Sequence, residues 1–176
     1  MVARKAHGFA LIDLIFVCGI IGILCSIALP RLLLAKQAAG AAAAIGSLRT
    51  INSAQLTFAL TCGSGFYAPD LTTLGTAPPG SLEPFLAGGL GTANTVTKSG
   101  YVFQMTGTPF AGAPPTCNGL AGGQAAQSFK VAADAAEPGN ARFFSSNVGQ
   151  TIWEDTSTMY PGMPEVGDPP SGHPYQ

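Results

Sequence analysis

The stretch Phe9 to Leu34, FALIDLIFVCGIIGILCSIALPRLLL, constrains this chain more than any other. It is almost wholly apolar, with one carboxylate, Asp13, near its start and one proline, Pro30, near its end. At about 1.5 Å per residue it makes a helix of membrane length. The charge-free part, Leu14 to Leu29, covers roughly 24 Å and needs its flanks to cross a hydrocarbon core of about 30 Å. Asp13 is the anomaly. An acid inside an apolar helix costs about 3 kcal/mol on insertion scales, and such residues are usually functional.

The residues around that acid carry a family resemblance. Lys5-Ala6-His7-Gly8-Phe9, then Leu11-Ile12-Asp13-Leu14, then Gly22-Ile23-Leu24 and Ala28-Leu29-Pro30, resemble the N-terminal signature of type IV pilins and of the pilin-like proteins of type II secretion. The resemblance implies a short basic leader, residues 1–8, cut by a membrane-embedded prepilin peptidase between Gly8 and Phe9. It implies N-methylation of the new N-terminal Phe9. Asp13 falls at the fifth place of the mature chain, where the family has glutamate, so the charge is kept on a side chain one methylene shorter. The family role of that acid is to neutralise the α-amino group of a neighbouring subunit. A new amine is a cation in lipid and is costly there without a partner. An acid four residues away can also pair within its own helix. In filaments of the family the stretch between such a glycine and this proline loses helicity, which places a helix break at Gly22 to Pro30. The same residues would also give a simple bend, because proline removes a backbone donor and glycine weakens a helix. The signature covers about thirty of 176 residues.

The helical pattern continues from Arg31 to about Leu60. Alanines dominate Ala35 to Ala44, and Leu48, Ile51, Gln55 and Phe58 recur at three- and four-residue spacing along one face. Arg49, Asn52 and Gln55 supply polar positions, and Gly63 is the expected left-handed cap. Residues 9–60 therefore read as one long helix, its first half in the membrane and its second half lying against a head.

The head spans 61–159. Residues 62–100 are rich in glycine and proline, with single helical turns expected at Leu71 to Leu74 and Leu82 to Leu86. Strands are expected at Tyr101 to Thr106, Ser128 to Ala133, Ala141 to Ser146 and Gln150 to Glu154. Successive hairpin-connected strands imply an antiparallel sheet with one face packed, and the long helix is the obvious cover. The series is similar to the heads of bacterial major pilins and pseudopilins. The expected class is α+β, a long N-terminal helix on a small antiparallel sheet. Residues 160–176 hold five prolines and several glycines and read as a mobile tail.

Charge and cysteines narrow the function. Loss of Arg4 and Lys5 with the leader takes the net charge from −1 to −3. Lys98, Lys130 and Arg142 are too widely spaced for a phosphate-binding patch, so no nucleic-acid partner is expected. Cys18 and Cys25 lie in the apolar run and read as small buried hydrophobes. Cys62 and Cys117 lie in the polar head; if the head is exported, they are the natural disulfide pair.

No enzyme constellation is present. His7 belongs to the leader and His173 to the tail, leaving no such base in the head. Glu154-Asp155 is a lone acid pair, short of the six to eight oxygens that calcium takes, and neither cofactor nor metal is expected. Trp153, Phe143 and Phe144 read as core and sheet-face residues. The expected function is a structural subunit that assembles into a helical filament of identical chains. Its partners would be the prepilin peptidase, an inner-membrane assembly platform and the membrane itself. The expected location is the inner membrane, head outside the cytoplasm, and then a cell-surface pilus. A type II secretion pseudopilin is the first alternative. The second is an exported soluble binding domain, cut after Ser26-Ile27-Ala28 as by a signal peptidase. Against that cut stand the acid within the hydrophobic region and Pro30 two places beyond it.

Overall fold

The computed structural model describes residues 11–175. The leader, Gly8 and Phe9 lie outside them. The class is α+β: a long helix, α1 (Leu11–Thr61), precedes a short one, α2 (Leu71–Gly75), and a six-stranded sheet. Two compact units divide the chain, Met1–Ala38 and Ala39–Gln176. In the single chain α1 is helical through Gly22 and Pro30; the expected loss of helicity there belongs to the packed filament.

In the second unit, α1 buries Ala41, Ala44, Ile45, Leu48, Ile51, Gln55 and Phe58. That is the three- and four-residue stripe of a helix lying on a surface. Asn52, a polar position in the sequence, belongs to this buried face. Its Nδ2 donates to Ser146 Oγ at 2.9 Å, which meets the donor half of a buried carboxamide, while its buried Oδ1 has no partner among the described residues.

The sheet is antiparallel throughout, in the order β1 (Thr95–Lys98), β2 (Tyr101–Thr106), β3 (Lys130–Ala135), β4 (Phe143–Asn147), β5 (Trp153–Asp155) and β6 (His173–Pro174). The register sets Phe103 beside Ala133, and Ala133 beside Phe144, on one face. Tyr101, Phe103, Met105, Val131 and Phe144 join the α1 stripe in one apolar core. Alternate residues Gln104, Ala132 and Ser145 form a row on the other face.

Several boundaries differ from the sequence reading, each for a local reason. Gly63 is not the left-handed cap: Ser64 (φ 52°) and Gly65 (φ 91°) take that conformation, and Gly65 N donates to Ala59 O. Gly63 is required for space instead, since a Cβ there would stand 2.1 Å from Phe66 O. Leu82 to Leu86 forms no helical turn, although Leu86 is buried. β4 begins at Phe143 because Asn140 Oδ1 accepts the Arg142 N–H and holds Arg142 in a turn. β5 begins at Trp153 because Gln150 (φ 59°) still belongs to the preceding turn, its N–H bonded to Asn147 O.

Residues 156–175 are not a loose tail. They cross the outer face of the sheet as a strap and end in β6, paired to β5. Met159 and Met163 are buried, and both sulfurs accept from Ser145 Oγ, at 3.3 and 3.2 Å. Asn147 Nδ2 donates to Pro164 O and Gly167 O. Glu165 accepts from Thr108 N, Thr108 Oγ1 and Ser128 Oγ. Before β6 the prolines keep this segment out of the ladder, so backbone carbonyls and side chains anchor it there.

Candidate functional site

The first unit presents the candidate site, an apolar helical arm. Fifteen large aliphatic or aromatic side chains between Leu11 and Leu34 are exposed. Four consecutive residues, Leu14, Ile15, Phe16 and Val17, are 59%, 62%, 69% and 47% exposed, so the apolar surface runs right round the helix. A helix that is hydrophobic on every side belongs in a protein core or a membrane. By length and composition α1 can cross a membrane, and none of its most apolar window is buried. Leaving fifteen such side chains in water would cost about 20 to 45 kcal/mol relative to burying them. The arm is therefore built to be covered.

Asp13 sits in the first turn of α1, exposed, where a carboxylate is favoured by the helix dipole. Among the described residues it has no hydrogen bond or ion pair. Its sequence-predicted partner, the amine of Phe9, lies outside the described residues, as does the cleavage position Gly8. The next charge along the arm is Arg31, so Leu14 to Pro30 is unbroken by charge.

Small and irregular residues interrupt the arm without any internal reason. A Cβ added at Gly19 or Gly22 would meet nothing within 4 Å. Pro30 leaves the carbonyl of Ser26 without a helical donor, and Ser26 Oγ donates to Ile23 O at 2.7 Å. Cys18 and Cys25 are free and exposed in the single chain, not buried.

The head brings one pair of predicted residues together. Cys62 and Cys117 form a disulfide that ties the end of α1 to the loop before β3, with Cα atoms 4.8 Å apart. Cys117 N donates to Cys62 O beside it.

The acid pair does not converge. Glu154 accepts from two nitrogens of Arg142, Nε at 2.6 Å and Nη2 at 3.1 Å, and this pairing holds the guanidinium pKa above its ordinary value. Asp155 points elsewhere and accepts from Ser171 Oγ and Thr156 N, each at 2.6 Å. Those donors, the serine first, hold its carboxyl below the usual carboxylate range. Among the described residues no three His, Cys, Asp or Glu side chains gather as metal ligands. Burial raises the Tyr101 phenol, whose oxygen accepts from Asn140 Nδ2. Phe144 is core and Trp153 is half-buried on the outer face, opposite Ser145.

The sequence reading missed the strap and its anchors. Their signal is faint: one glutamate, two methionines and one asparagine, each separated from its partners by at least a dozen residues. No protein-family model, curated protein or solved structure matches the chain.

Proposed function

We propose that the chain is a structural subunit of a type IV pilus filament, acting through assembly and not through catalysis. The observation that carries this reading is the arm: an exposed, all-round apolar helix with one carboxylate at its start that has no partner among the described residues, continuous in sequence with a disulfide-bonded head. The basic leader holds the precursor in the inner membrane. Cleavage by prepilin peptidase between Gly8 and Phe9 creates a free amine, and Asp13 of one subunit meets the Phe9 amine of another. An assembly platform draws subunits from lipid, and the arms exchange lipid contacts for helix–helix contacts. Gly19, Gly22 and Cys25 have no packing role among the described residues, which suits close approach by neighbouring arms. Pro30 and Gly22 supply the point where the helix can open in the filament. The heads then coat the outside, reached as a cell-surface pilus.

Asp13→Ala tests the pairing. Processing should continue, so a band of mature size appears in membranes, while filaments disappear from the cell surface by electron microscopy. Filaments at normal yield would remove the charge pairing from the mechanism.

A further inference from the structure

The strap leaves one corner of the outer sheet face uncovered, and that corner is a groove of about 390 Å³. Thr95 and Gln104 lie there opposite one another across the β1–β2 register. Tyr160 of the strap lines it next to Thr106, to which its hydroxyl is hydrogen-bonded. Asp70, the cap of α2, and Asn94 complete the polar lining. Three separate parts of the chain thus meet at one place: the cap, the sheet corner and the strap.

Much of this polar capacity is unused. Asp70 Oδ1 takes Thr73 N, Thr72 Oγ1 and Thr73 Oγ1, but among the described residues Oδ2 takes no donor. Asn94 Oδ1 lies 3.0 Å from Thr72 Oγ1, which shares its one proton between Asp70 and Asn94, and Asn94 Nδ2 has no partner among the described residues. The half-buried Gln104 carboxamide makes no side-chain hydrogen bond among the described residues. A carboxamide offers two donors and an acceptor in one plane. Two of them line the groove together with a carboxylate and the hydroxyls of Thr95, Thr106 and Tyr160, so the lining holds both donors and acceptors.

Charge selects the ligand. No lysine or arginine lines the groove, and Asp70 would repel an anion. One carboxylate with one oxygen already saturated is far short of a calcium shell. A neutral ligand whose groups both donate and accept fits all of these facts. We propose that the groove binds a neutral carbohydrate, with Gln104 and Asn94 reading adjacent hydroxyls, Asp70 Oδ2 accepting from a third and Tyr160 bordering the ring. This site lies on the head and does not depend on filament assembly.

The test uses the full chain in zwitterionic dodecylphosphocholine micelles, followed by amide NMR. Maltotriose, cellotriose and chitotriose are titrated at millimolar concentration, with sulfate and calcium chloride as separate arms. At least one sugar should shift the Asn94 and Gln104 side-chain amides saturably. Gln104→Leu should weaken that binding about tenfold, the loss of one or two amide hydrogen bonds, with melting unchanged. Asn94→Ala, at an exposed position, gives the same readout without touching the sheet. Silence with all three sugars, or binding unaffected by both substitutions, overturns the proposal. So does a response to sulfate or calcium alone.

Discussion

Gln55 grips the backbone of Ala68 with both ends of its carboxamide: Nε2 donates to Ala68 O at 2.8 Å and Oε1 accepts from Ala68 N at 2.9 Å. Both residues are fully buried. The helix thereby takes the place of a neighbouring strand for the loop that follows it. Gln55→Leu would keep the volume but strand a buried donor and a buried acceptor. The expected loss is about 2 to 4 kcal/mol of head stability, read as a lower melting temperature of the full chain in micelles. Thr57→Ala, on the exposed side of the same turn, should change melting little. Equal effects from the two would show that the Gln55 clasp adds nothing.

The disulfide closes a loop of 55 residues in sequence. Cross-linking such a loop is worth roughly 4 kcal/mol in the chain-entropy model. Reduction, or Cys62→Ser with Cys117→Ser, should therefore lower head melting markedly. An unchanged melting temperature would mean that the bond does not restrain the unfolded chain.

Glu165 holds the strap through three donors on two separate segments. Glu165→Ala should cost about 1 to 3 kcal/mol. Its sharper signature is local: hydrogen exchange should quicken at Met163 to Gly167 and at Thr108 while α1 amides of the core stay protected. Unchanged exchange at those positions would make the strap independent of Glu165.

Asp155 gives the strap's far end a pH dependence. Its carboxyl is held low in the folded state by Ser171 and Thr156. A depressed folded pKa gives stability that is present above the unfolded pKa and is lost as pH falls through the folded one. Asp155→Ala should thus melt lower than the native chain at neutral pH. The gap should close as pH drops from about 4 toward 2. A gap that is constant across that range would assign the effect to packing instead of charge.

Legibility in the sequence followed the range of the forces involved. Helix α1 and strand β2 were legible because each writes its own period into a continuous run. The four-residue β1 was hidden, since Thr95 to Lys98 is mostly exposed and has no apolar alternation to display. β6 was hidden because His173-Pro174 gains its pairing from β5, across a proline-rich segment that reads as unstructured. Asn52 read only as a polar position, and its place on the buried face was hidden because its partner, Ser146, is 94 residues away. The disulfide was legible as the pairing of two head cysteines. The sugar groove was not, because its lining comes from three distant parts of the chain with no shared motif.

The central claim is that a newly freed amine at Phe9 is matched to Asp13 so that the arm can leave lipid for a bundle of its own kind. Mass spectrometry of the native protein's N-terminal peptide tests this most directly. The account predicts a mature chain that begins at Phe9 and carries one added methyl group on its α-amine. A chain that begins near Leu29, without the arm, would contradict it.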